Sequence, residues 1–375
     1  MRDYNLATYE DRLNQQVIHM DQGVAYSPEF RATFNMSDYP SRKMQLARAI
    51  FKNEMIASPY SAEILNLNIL SRQGERWQNF GENPEDYTDC LILAREMLIK
   101  KGLNKTIPQE IEDLLTKNDG HLFPIPSSII KTWLQNIPTT ESSRRYFLLD
   151  DVSCALVPEY ASSIGHILEA ACMNCMPEIL PRFLGWEYFA HGMIDQGLAH
   201  ARAMVEELQQ KDVKELVVLT GQAEYLWRIY LPKLGLHHGF RVLNLFDMAN
   251  RILVPDQSFV YAGSFLTRYL MMGEILCQAI PNSHEQLLPR SEEFFQTYTA
   301  DKRVNAINIW QKPLCAEFVI FGLEEEINEK IFNDSYDDID RTPHKNLIVF
   351  EPFAYDLLKQ KKPKEKVVYF TDCLI

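Results

Sequence analysis

Five short apolar runs in the second half of the chain, each set off from the next by a longer stretch, do most to limit the fold. They are Leu216-Val-Val-Leu-Thr, Arg241-Val-Leu-Asn-Leu, Phe259-Val-Tyr-Ala, Leu347-Ile-Val-Phe and Val367-Val-Tyr-Phe. They read as buried strands of an alternating α/β arrangement, with helices packed over them. The stretches Tyr160 to Ala171, Ile194 to Gln209, Ala223 to Leu234, Leu266 to Ala279 and Leu314 to Ile331 are the expected helices. A weak internal repeat supports this reading. Val217-Val-Leu-Thr-Gly-Gln-Ala-Glu-Tyr-Leu resembles Leu347-Ile-Val-Phe-Glu-Pro-Phe-Ala-Tyr-Asp, with Tyr225 and Tyr355 in register. Two related α/β lobes are expected, divided near residue 256.

The first part of the chain carries helical patterns instead. In Ser41-Arg-Lys-Met-Gln-Leu-Ala-Arg-Ala-Ile-Phe-Lys, Met44, Ala47 and Phe51 fall near one face and Ser41 is a candidate cap. A second helix is expected from Thr88 to Gly102 and a short third from Ile107 to Leu115. Asn118-Asp-Gly, Pro124, Pro126, Pro138 and Thr139-Thr-Glu-Ser-Ser then break the pattern around one short helix, Ile129 to Leu134. The expected organisation is a helical domain over 1–118, a connector over 119–145, and lobes over 146–256 and 257–375.

Among 375 residues, 46% are hydrophobic and 24% charged, which predicts packed cores in two or three domains. The formal charge of −13 argues against nucleic acid or an anionic membrane as partner. No apolar run approaches the roughly 18 residues of a membrane span. Met1-Arg-Asp-Tyr-Asn-Leu lacks the apolar core of a signal peptide, so a cytoplasmic location is expected. Seven scattered cysteines do not read as a disulfide framework.

Two runs have the outline of a ferredoxin cluster motif, C-x2-C-x2-C-x3-C-P, without its cysteines. Counting back from Pro28, the ligand positions hold Ser27, Gly23, Met20 and Val17; counting back from Pro84, they hold Asn83, Asn79, Arg76 and Gln73. The flanks Tyr26-Ser-Pro-Glu-Phe-Arg-Ala, Met44-Gln-Leu-Ala-Arg-Ala, Asn83-Pro-Glu-Asp-Tyr-Thr-Asp and Ala94-Arg-Glu-Met-Leu-Ile-Lys-Lys-Gly complete the pattern. With them the chain resembles fused heterodisulfide reductase C and B subunits, the group that includes the glycerol-3-phosphate dehydrogenase C subunit and many (Fe-S)-binding oxidoreductases.

The resemblance implies an α+β/α/β architecture: a helical ferredoxin-like domain followed by two α/β lobes of the cysteine-rich CCG type. In the first lobe, Asp151-Val-Ser-Cys-Ala matches the opening segment, with Cys154 as its surviving cysteine. Tyr188, Phe189 and Ala190 match the Cys-Cys-Gly, Gly197 a downstream glycine, and Gly221 and Glu224 the final pair. In the second lobe, Ser264 stands at the first cysteine and Arg268 and Ala279-Ile-Pro match the family pattern. Leu314-Cys315 stands for the Cys-Cys, and Glu351 and Ala354 for the last pair around a retained Pro352. Family members carry 4Fe–4S clusters through grouped thiolates. With these positions altered, no cofactor is expected, and the aromatic rings are expected to refill the emptied space.

Other candidates read as structural. Cys172-Met-Asn-Cys175 lacks a preceding strand and a second pair. His166, His191, Asp195 and His200 have no metal-ligand spacing. His237-His238 lies in a turn, Glu324-Glu-Glu is a solvated helix face, and Leu219-Thr-Gly-Gln-Ala has too few glycines to cradle a phosphate. The leading expectation is therefore a cluster-free, non-catalytic subunit of a redox complex beside a cluster-bearing paralogue or flavoprotein. The alternative is an enzyme, an oxidoreductase or another class, with its pocket between the lobes and Glu224, Ser264, Arg268 and Glu351 as its working residues.

Overall fold

Two three-stranded parallel sheets organise the second part of the chain. The computed structural model describes residues 2–18, 27–73, 85–248, 252–280, 307 and 311–374. In the first sheet, β1 (Arg145–Leu148), β2 (Glu215–Val218) and β3 (Arg241–Asn244) lie in that order, with Phe147 beside Val217 and Val217 beside Leu243. In the second, β4 (Ser258–Tyr261), β5 (Asn346–Val349) and β6 (Val367–Tyr369) repeat the plan, with Val260 beside Ile348 and Ile348 beside Val368. Each sheet has a long crossover into its middle strand and a short helical crossover out of it, as parallel strands require.

The first sheet is buried on both faces. Tyr146, Leu148, Leu216 and Val218 face a core shared with Leu13, Met44, Leu65, Leu91 and Leu98 of the helical part. Phe147, Leu149 and Val217 alternate to the other face and join Phe259, Val260, Leu347 and Ile348 of the second sheet. The helical part and the first lobe thus share one continuous interior.

Six helices built by local signals make up the described helical part: Glu10–Ile18, Pro28–Thr33, Pro40–Phe51, Pro59–Asn66, Glu85–Lys100 and Thr106–Lys117. Prolines open three of them at the first turn, where a missing N–H costs nothing. Pro40 displaces Ser41 from the expected cap; Tyr39 takes that place, and Ser41 lies inside the first turn. Gly102, at φ 74°, closes the chain after Lys100. Among the described residues no helix is long and apolar enough to cross a membrane.

Several expected elements change. β1 has no counterpart among the five expected strands and starts inside the expected connector, because only Tyr-Phe-Leu-Leu separates the polar stretch ending at Arg145 from Asp150. The helix expected over Ala223–Leu234 runs as Gly221–Tyr225, a π-helical turn Leu226–Tyr230, and Leu231–Lys233. That expected over Leu266–Ala279 splits into a π-helical turn, Phe265–Tyr269, and the helix Gly273–Ala279, with Met271 left-handed at φ 57° between them. The largest change lies at Leu314–Ile331. The helix there is Glu325–Asp340, and residues 311–323 form neither helix nor strand. Pro313 and Gly322, the latter at φ 73°, bracket this segment. The repeat also shifts: strand ends Val218 and Val349 and caps Thr220 and Glu351 put Tyr225 one position out of register with Tyr355.

Candidate functional site

The C-terminal ends of parallel strands are where α/β folds hold ligands, and here they are occupied by the chain itself. Residues 311–323 form a strap across them, and its polar groups are met by side chains and backbone of both lobes. Gln311 Oε1 accepts from the N–H groups of Ala262 and Gly263 (2.9 and 3.3 Å), and its amide donates to Val260 O at 2.8 Å. The Glu317 carboxylate accepts from the backbone N–H groups of Ser264 and Phe265. Glu317 O accepts from Gln222 Nε2 at 2.8 Å in the first lobe. Val319 N donates to Glu187 Oε1 at 3.2 Å, and Phe321 N to His191 Nε2 at 3.4 Å.

Three of the four expected working residues converge here. Ser264, Arg268 and Glu351 are all buried. Arg268 donates to Ser71 O (2.5 Å), Gln311 O (2.7 Å) and Ser264 Oγ (2.7 Å), joining the helical part, the strap and the turn after β4. Glu351 lies two residues past the end of β5, and its Oε1 meets no donor among the described residues. Glu224 is committed elsewhere: it accepts from Arg228 Nη1 at 2.7 Å and from Asn244 Nδ2 at 2.9 Å, bracing the end of β3.

Acids the sequence reading did not single out complete the cluster. A Cβ on Gly263 would lie 2.8 Å from Glu317 Oε1 and collide with Glu351 Cγ, so the Glu317 carboxyl and the stem of Glu351 both pack on this bare backbone. Burial pushes both acids up, and the Glu317 charge pushes Glu351 up further. Asp150, capping Asp151–Leu156 through Ser153 N, is pushed by burial to about 6. Glu187 is pushed by burial to about 7. His191, buried and beside Arg95, is held down to about 3 and is neutral. The available signal was a lone acid in an apolar run, Ala316-Glu-Phe-Val-Ile-Phe, which forces a carboxyl inside wherever the run is buried.

An aromatic cluster fills the space beside the strap. Trp186 makes edge contacts with Tyr225, Tyr230, Phe265, Tyr269 and Phe318 at centroid distances of 5.3–6.4 Å. The Arg72 guanidinium covers Tyr269 at 3.6 Å and donates to Tyr225 OH at 3.0 Å. The sequence reading assigned the filling role to Tyr188 and Phe189. Phe189 does pack in this core, against Tyr230, whereas Tyr188 turns to a small satellite core with Ile107, Ile111 and Met193.

The residues present do not suit an iron–sulfur cluster. Ser27 caps Pro28–Thr33 and donates to Glu29 Oε2 at 2.9 Å, and Glu29 accepts in turn from Ile69 N. Gln73 is buried and Val17 packs partly buried against the core. Met20, Gly23, Arg76, Asn79 and Asn83 lie outside the described residues. Cys154 is buried, and burial with Asp150 and Asp151 nearby pushes its thiol to about 12. Cys315 is half-buried; burial, Glu317 and Glu351 raise its thiol well above the ordinary value. A cluster ligand must be a thiolate, and carboxyls at its side oppose that charge. Among the described residues no three of His, Cys, Asp and Glu are grouped to hold a metal ion.

A cavity of about 470 Å³ lies elsewhere, lined by Arg145, Glu215, Arg241, Asp247 and the exposed Cys172 among others. Its charges pair internally, Arg145 with Glu215 at 2.6 Å and Arg241 with Glu215 at 3.5 Å. Cys175, the other half of the expected pair, is buried with its thiol pushed to about 12. No family model matches the chain, and neither a curated protein nor a solved structure matches it.

Proposed function

We propose that this chain is a cluster-free relative of the heterodisulfide reductase-type electron-transfer subunits, with a helical ferredoxin-like part and two CCG-type lobes, acting as a structural or regulatory subunit of a redox complex. The observation that carries this reading is the refilled strand-end region. Among the positions matched to lobe cysteines, Ser264, Glu351, Gly221 and Phe189 have the strap or the Trp186 cluster packed against them. A site emptied of a cofactor loses stability unless protein atoms replace it. The exposed large apolar side chains support a partner for the helical part: Phe34, Met36, Met55, Ile56 and Tyr60 are all exposed within residues 34–60. The partner is a protein, either a cluster-bearing paralogue or a flavoprotein.

Anaerobic purification followed by iron and acid-labile sulfide assay tests the first half. No stoichiometric iron is expected, and roughly four irons per chain would overturn the reading. Gel filtration of native extract tests the second half. The chain is expected to elute in a larger complex, and elution at the mass of the free chain would overturn the subunit role.

A further inference from the structure

Glu317 and Glu351 both pack against Gly263, and the charge of Arg268 favours ionisation of Glu317 alone. The nearby guanidinium of Arg268 is directed to Ser71 O, Gln311 O and Ser264 Oγ. Asp150 faces the pair from the end of β1, Tyr369 from the end of β6, Tyr261 from β4, and Cys315 from the strap. The Tyr369 hydroxyl and Glu351 Oε1 are buried without a hydrogen-bond partner among the described residues, so neither relieves a negative charge there. Two carboxylates side by side in such surroundings repel, whereas one shared proton turns the contact into a hydrogen bond.

We propose that a single proton shared by Glu317 and Glu351 fastens the 311–323 strap over the seam between the lobes, so that losing it releases the strap. Burial raises both acids and Glu317 raises Glu351 further, whereas Arg268 and the N–H groups of Ser264 and Phe265 favour charge on Glu317, so the shared proton belongs on Glu351. The strap is the part that yields. It has no helix or strand bonds of its own, while Glu351 is anchored between β5 and the helix Pro352–Lys361. Release uncovers Phe318 and wets Trp186, which it touches at 6.4 Å.

Hydrogen exchange read by mass spectrometry, corrected for the intrinsic pH dependence, tests this from about pH 6 to about pH 9.5. Peptides spanning 311–323 are expected to lose protection by about tenfold or more as pH rises, while Glu85–Lys100 stays protected. Glu351→Gln supplies an N–H to Glu317 without a titrating proton, so its strap is expected to stay protected throughout. Three results would overturn the proposal: pH-independent strap protection, opening of the variant like the parent, or opening only together with Glu85–Lys100. Should the variant fail to fold, infrared spectroscopy of the unaltered chain decides. A protonated-carboxyl band is expected at neutral pH and should vanish as the strap opens; its absence at neutral pH sinks the idea.

Discussion

Arg268 Nη2 donates to Ser264 Oγ across 2.7 Å, four residues back in the chain, while its other nitrogens reach Ser71 and Gln311. One planar guanidinium thereby holds three chain segments, which an ammonium with a single nitrogen cannot do in that geometry. Arg268→Met is expected to cost about 3–5 kcal/mol, since three buried acceptors lose their donor at once. Arg268→Lys is expected to recover less than half. Urea midpoints with unchanged slope are the check, and a loss under about 1 kcal/mol would contradict the tie.

Phe189 packs on Gly197. A Cβ there would lie 2.7 Å from the ring, closer than carbon atoms pack. Gly197→Ala is expected to destabilise by about 1–3 kcal/mol. The loss should shrink markedly in a Phe189→Leu background, so a double-mutant cycle with no coupling would refute the contact.

Acid stability should carry the mark of Asp150 and Glu187. Both are raised above their ordinary values, to about 6 and about 7, so the folded chain holds their protons more tightly than the unfolded chain. Their contribution is complete below the unfolded carboxylate range and fades as pH climbs to about 7. His191 works in the opposite sense. Its folded value of about 3 lies below the ordinary 6.5, so its contribution is present above 6.5 and drains away as pH falls toward 3. Glu187→Gln keeps an acceptor for Val319 N and is expected to flatten the decline between about pH 5 and 8. Urea midpoints across that range measure it, and an unchanged slope would assign the decline to other groups.

Thiol reactivity should be uneven. Cys172 is exposed, whereas Cys90, Cys154, Cys175 and Cys373 are buried, three of them with thiols pushed up to 11 or 12. A thiol reagent at neutral pH is expected to modify Cys172 in a fast phase that Cys172→Ser abolishes. Buried thiols are expected to react only on unfolding, and fast labelling of Cys154 in the native chain would contradict its placement.

The five strands found from apolar runs and the helix Glu85–Lys100 were legible because their periodicity is local. β1 was not, since four apolar residues between charged ones leave almost no pattern. The strap was misread for a different reason. Its apolar residues meet protein on several sides, and that burial, which no local period reports, also suits a helix. Ser264, Arg268 and Glu351 were traced through a resemblance to strand-end positions, and they do converge. Glu317, their common partner, was invisible because the contact joins residues 52 and 53 positions apart. Glu224 shares their strand-end position in the sequence, but a strand end alone does not say where a side chain turns, and here it turns to Asn244 and Arg228.

The bond from Val319 to Glu187 spans 132 positions and that from Gln222 to Glu317 spans 95. A ribosome must therefore deliver most of the second lobe before the first can close its interior. Until then Trp186 and its ring of neighbours remain an adhesive surface on the nascent polypeptide. A chain halted before residue 317 would be a client for chaperones instead of a half-finished soluble module.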